Sequence, residues 1–179
     1  MNNPSSLVLA LVAVSCVACA NETPGDTAAN IHVDIDRIVA AGEAVPVDGI
    51  TSAGQPDEVA LRVFADSGYA AVIDMRGPDE DRGLEDERAL VEALGMDYVL
   101  IPIDSPDDIS FATVGKLQEV LQNIDGPVLV HCASGNRVGA VLALRHSLTG
   151  ASPEESIELG KNAGLTRLEG VVRDRLAGK

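Results

Sequence analysis

The sequence predicts an α/β domain with a mainly parallel sheet flanked by helices. Short apolar runs at Ala70 to Met75, Tyr98 to Ile103 and Val128 to Val130 read as strands, and they alternate with longer stretches of helical spacing. Most of these segments end in Gly or Pro punctuation, such as Gly68, Gly95 and Asp125-Gly126-Pro127. With 46% hydrophobic but only 2% aromatic residues, the core must be built from Val, Leu, Ile and Ala. A chain of 179 residues has room for one such domain once a leader is set aside.

The elements follow in order. Leu7 to Ala20 is an apolar stretch too short to span a membrane comfortably and of the right length for a secretory leader, so residues 1–20 read as a signal peptide or lipoprotein leader. Ala18-Cys19-Ala20 fits cleavage before Asn21, while Cys16 and Cys19 also resemble lipidation sites. Export follows from either reading, to the periplasm or to a lipid anchor on the membrane. Residues 21–30 read as a flexible tether and 31–179 as the folded domain. Ile31 to Val47 is weakly patterned and leads as a strand or turn of helix to Gly49-Ile50-Thr51-Ser52. Pro56 starts a helix with Val59, Val63 and Phe64 at helical spacing. Glu85 to Leu94 forms a second helix, and Phe111, Val114, Leu117, Val120, Leu121 and Ile124 mark one face of a longer one. Val138 to Leu148 is a further helix. Ser152-Pro153-Glu154-Glu155 resembles a capped helix start, and Thr166 to Leu176 a final helix.

The segment richest in chemistry is His131-Cys132-Ala133-Ser134-Gly135-Asn136-Arg137, between the strand at Val128 and the helix beginning near Val138. The first amides of a helix lack intrahelical partners, and with the helix dipole and a guanidinium they favour an anion and a reactive thiolate. Cys132 is thus the candidate nucleophile. Ala133, Ser134, Gly135, Asn136 and Arg137 are the candidate substrate-binding residues, since small residues let the backbone approach a ligand and an arginine fork matches an oxyanion. Gly139 allows close packing of the following helix. As Cys16 and Cys19 fall in the leader, Cys132 is the one thiol of the folded domain, and no Cys and His cluster has zinc spacing. A lone reactive thiol in an oxidising compartment would call for protection or a reducing partner.

This loop, together with Ser52-Ala53-Gly54-Gln55-Pro56, Val72-Ile73-Asp74-Met75-Arg76 and Ile101-Pro102-Ile103-Asp104, resembles the cysteine-dependent phosphatase superfamily. The nearest resemblance is to the bacterial phosphatase-like domain named after beta-lactamase hydrolase-like proteins, and it covers roughly Ile50 to Leu148. It implies a cysteine-phosphatase-like fold and cleavage of a phosphomonoester through a phosphocysteine, with no cofactor or metal. Two departures from the wider superfamily stand out. Only four residues separate Cys132 from Arg137, where tyrosine and dual-specificity phosphatases have five, and Val138 stands where Ser or Thr is common. The short spacing resembles rhodanese loops, so a sulfurtransferase forming a Cys132 persulfide stays open, as does a non-catalytic domain that binds an anion or a partner.

Asp104 is the candidate general acid, with Asp107 and Asp108 as competitors, because a leaving oxygen must be protonated and a water then activated. Arg76 and His131 read as supporting residues. Strand alternation turns His131 away from Cys132. Asp74, which stands where the resembling family has Asn, is placed to be buried and paired with Arg76. The clusters Asp79-Glu80-Asp81 and Glu85-Asp86-Glu87 read as a solvated loop and first helical turn. A net charge of -15 and scarce aromatics exclude nucleic acid as a natural partner and oppose an acidic membrane surface. The substrate expected is a small phosphorylated or sulfur-bearing compound, and the oligomeric state is open.

Overall fold

The structure, a computed structural model, describes residues 45–47, 50–81 and 83–178. The leader, the tether and the segment up to residue 44 lie outside these. Strand β1 (Val45–Val47) pairs antiparallel with β2 (Ile50–Ala53), and β2, β5 (Val128–His131), β3 (Ala71–Asp74) and β4 (Asp97–Leu100) continue the sheet in that order, all parallel. The predicted α/β class and parallel sheet are therefore present. The strands β3 and β4 are assigned shorter than their apolar runs, although Ile101 and Ile103 still donate to Asp74 O and Met75 O at 2.9 and 3.3 Å.

Helices cover both faces. On one, α1 (Glu58–Asp66) and α2 (Glu87–Ala93) bury Leu61, Phe64 and Val91 over Val72 and Leu129. On the other, α3 (Phe111–Gln122), α4 (Asn136–Ser147), α5 (Pro153–Asn162) and α6 (Glu169–Ala177) enclose Ile73, Val128 and Val130. Of the positions expected on the inner face of α1, Phe64 is buried and Val63 packs against the core, while Val59 is 64% exposed and Ala60 and Leu61 point inward with Phe64. Asp57 caps the helix, with Ala60 N donating to it at 2.8 Å. The α5 start carries the capping box foreseen at Ser152 and Glu155.

The final helix begins three residues later than its pattern. Asn136 Oδ1 takes the amides of Thr166 and Leu168 at 2.8 and 3.3 Å, which holds residues 166–168 as a loop at the mouth of the site. Gly139 packs against the α5–α6 connection. A Cβ there would run into the Leu165 and Gly160 backbones, so only glycine permits this approach of α4 to α5. Among the described residues, no helix is long and apolar enough to cross a membrane.

Candidate active site

All four parallel strands end at one edge of the sheet, the edge at which such folds bind ligands. Cys132 follows directly on β5. Its amide donates to Ala53 O at 3.4 Å, Gln55 N donates to Ala133 O at 3.3 Å, and Gly54 bridges Ser134, so the Ser52 to Pro56 segment supports the loop from one side. Gly135 takes a left-handed conformation, φ 78°, where the loop enters α4, which glycine adopts without steric penalty. The Cys132 side chain is 1% exposed and sits beneath the loop.

A cavity of about 260 Å³ lies outside it, walled by Asp104, Ala133, Ser134, Asn136, Arg137 and residues of the 103–106 and 167–168 segments. The structure thus gathers most of the predicted site residues at one place. Gly135 instead borders a neighbouring cavity of about 230 Å³ beside Gly54 and Lys161. The Asn136 side chain is committed to bracing the 166–168 loop. Of the three aspartates, Asp108 is engaged with the amides of Asp104 and Ser105 and the Ser105 hydroxyl, which hold its carboxyl below the usual range. Asp107 pairs with Arg175 at 3.1 Å. Asp104 alone of the three lines the cavity. Its carboxylate lies against Gly77, where a Cβ would collide with it.

The acidic loop is not simply solvated. Both Glu80 oxygens accept from Arg137, Oε1 from Nη1 and Oε2 from Nη2 at 2.7 Å, and Gly77 N donates to Oε1 at 2.8 Å. The Arg137 hydrogen bonds hold the Glu80 carboxyl down to about 2 against partial burial. Arg137 is stabilised as a cation in turn, chiefly by Glu80, with Cys132 contributing. Nη1 also donates to Ile103 O at 3.0 Å. Of the five N–H groups of a guanidinium, three are used in this way. The two that neither Glu80 nor Ile103 takes, on Nε and Nη2, share one edge, the geometry that receives two oxygens of an oxyanion.

Behind the loop, on the opposite face of the sheet from Cys132, Asp74, Arg76, Glu87 and His131 form a fully buried polar network. Arg76 donates to Asp74 through its amide, Nε and Nη2 at 2.8, 3.0 and 3.0 Å, and through Nη2 to Glu87. Tyr98 Oη donates to the same aspartate at 2.8 Å, and His131 Nε2 stands 3.0 Å from Glu87 Oε1. Burial opposes the Asp74 charge, but the Arg76 hydrogen bonds, His131 and Tyr98 outweigh it and keep the carboxyl below its ordinary range. The ligand atoms of Asp74, Glu87 and His131 lie within 4.8 Å of one another, the one such group among the described residues that could hold a metal. Arg76 already brings a cation to both of its carboxylates.

The sequence pattern places Glu80 and Glu87 in a solvated loop and first helical turn and does not single out Arg167. Glu87 carried a usable signal, since it stands four residues before buried Val91 and so shares its helix face. Glu80 is on a loop, where no periodicity marks it, and Arg167 falls inside the stretch whose spacing predicts the final helix.

The family model for the beta-lactamase hydrolase-like protein, phosphatase-like domain, matches residues 27–149. The chain belongs to this family. It is 31% identical over 119 residues to the beta-lactamase hydrolase-like protein of Agrobacterium fabrum, covering 64% of this chain and 27% of that one. The homologue of Xylella fastidiosa strain 9a5c is 29% identical, with 68% and 28% covered. The chain therefore spans about a quarter of the length of these relatives. Among solved structures, Tk-PTP in its active form superposes with a TM-score of 0.58 at 21% identity, covering 76% of this chain and 97% of that one. Pseudomonas aeruginosa TpbA, in a cysteine-to-serine form in complex with phosphotyrosine, gives 0.55 at 17%, with 77% and 90% covered. The fold is that of the protein tyrosine phosphatase-like proteins.

Proposed function

We propose that this domain hydrolyses a small phosphomonoester with Cys132 as nucleophile. The observation that carries the reading is Arg137 on the wall of the cavity that Asp104 shares, held by Glu80 and Ile103 O with its Nε and Nη2 edge taken by neither of them. The Cys132 thiolate attacks phosphorus in line and the bond to the leaving oxygen breaks. Asp104 gives that oxygen its proton. Arg137 and the loop amides of residues 133–137 hold the equatorial oxygens, where charge develops. Water then attacks the phosphocysteine, with its proton passing to the Asp104 carboxylate, and the S–P bond breaks to release phosphate and the thiolate. His131 and Arg76 act from behind, by fixing the strand ends from which the loop springs.

The test pairs aryl phosphate hydrolysis with thiosulfate-to-cyanide sulfur transfer on the full chain under reducing conditions, each with a Cys132→Ser control. Phosphate release that Cys132→Ser abolishes, while the variant keeps oxyanion binding, is expected. Thiocyanate formation alone, dependent on Cys132, would replace hydrolysis with the persulfide reaction suggested by the four-residue spacing. A Cys132→Ser chain of full hydrolytic activity would overturn the mechanism.

A further inference from the structure

Arg167 stands at the rim of the same cavity, exposed, and makes no hydrogen bond or ion pair among the described residues. Its condition is not that of its neighbours. Arg62, Arg76, Arg88, Arg137, Arg173 and Arg175 each hold a carboxylate. With 28 acidic residues against 13 basic ones, a shortage of carboxylates does not explain the difference.

The position of Arg167 is also fixed. The amides on either side of it, from Thr166 and Leu168, both donate to Asn136 Oδ1, and Asn136 directly precedes Arg137. One side chain thus couples the backbone of the second arginine to that of the first. The bonding leaves both arginines on the wall of one cavity. At about 260 Å³ this cavity is below the size that encloses drug-like ligands, and no aromatic side chain lines it. The four aromatic residues of the chain are placed elsewhere: Phe64 and Tyr69 meet edge to face in the core, Tyr98 serves Asp74, and Phe111, the first residue of α3, packs against the core. A flat aryl ring would find no aromatic partner here, whereas a compact polyanion would meet two cations.

We propose that Arg167 binds a second phosphate group of the substrate, so that the site takes small compounds bearing two neighbouring phosphates. The proposal rests on the phosphomonoesterase reading above and names its substrate class. In a chain of net charge -15, long-range steering repels such a ligand, and capture depends on local cations of this kind.

The experiment compares propane-1,3-diol bisphosphate with propyl phosphate as substrates of the full chain, and repeats the pair with Arg167→Met and Arg167→Lys. The parent chain is expected to favour the bisphosphate in kcat/KM by about tenfold or more, as one charge-assisted contact gives. Arg167→Met brings that ratio toward one and Arg167→Lys restores part of it. Because the ratio is taken within each variant, a general loss of folding does not move it. A parent ratio near one, or a ratio that survives Arg167→Met, overturns the proposal. If neither compound is hydrolysed, the phosphomonoesterase reading fails separately, and calorimetric binding of the same two compounds to Cys132→Ser chains with and without Arg167→Met decides the subsite by the same ratio.

Discussion

Replacing Glu80 by Gln keeps the side chain's shape and removes the charge that Arg137 holds. The fall of the Glu80 carboxyl from its ordinary 4.5 to about 2 corresponds to about 3.4 kcal/mol if nothing screens the pair. The Glu80 side chain is 37% exposed, and solvent screening of exposed pairs reduces this to about 1–2 kcal/mol. Because the folded-state value is depressed, the stabilisation is fully present above pH 4.5 and is lost as pH falls toward 2. Urea unfolding of the parent chain and Glu80→Gln, followed from pH 7 to pH 2, should therefore show a gap of about 1–2 kcal/mol that is constant down to about pH 5 and closes below it. The same variant should hydrolyse aryl phosphate more slowly, since Arg137 keeps only the Ile103 carbonyl as a strong brace. A stability gap that does not change between pH 5 and pH 2 would refute the assignment of Glu80 as the ionised partner of Arg137.

Two further substitutions test the support behind the loop. Arg76→Met leaves Asp74 and Glu87 buried without their counter-cation and should cost at least about 3 kcal/mol in urea unfolding at pH 7; a loss under about 1 kcal/mol would show that the network is not held by charge. Gly139→Ala should lower the melting temperature by the equivalent of about 1–3 kcal/mol, opposite to the usual gain from alanine in a helix, because its Cβ meets the Leu165 and Gly160 backbones; a melting temperature equal to or above the parent's would contradict the close α4 to α5 approach.

The sequence discloses the frame of the site more fully than its electrostatics. Cys132, Arg137 and Asp104 could be placed because strand ends in a parallel sheet converge on one edge, and the spacing of apolar runs locates those ends. The opposite orientations of His131 and Cys132 follow from the period of two in a strand, whereas the pairing of Asp74 with Arg76 is legible through the family resemblance at position 74. Glu80 followed no such rule. Its meeting with Arg137 spans 57 residues and depends on the path of a loop with no repeating pattern. Arg167 was hidden for a related reason: helical spacing extends back to Thr166, and only Asn136, from a different element, takes the amides that would have begun the helix there.

Together these contacts divide the work at the loop. Arg137 is matched by Glu80, and Arg76 faces both Asp74 and Glu87, so neither arginine brings an uncompensated positive charge to the cavity. What Arg137 offers is direction: two N–H groups on one rigid edge, held in place before a ligand arrives, next to helix amides that lack partners of their own. Direction suits a transferring phosphoryl group, whose three equatorial oxygens must be gripped in a fixed orientation while the axial bonds exchange. Net attraction must then come from a cation that no carboxylate compensates, and Arg167 is the arginine on the cavity wall that meets this condition. On the proposed reading, orientation and attraction in so acidic a protein come from two different arginines, and Asn136 connects the segments that carry them.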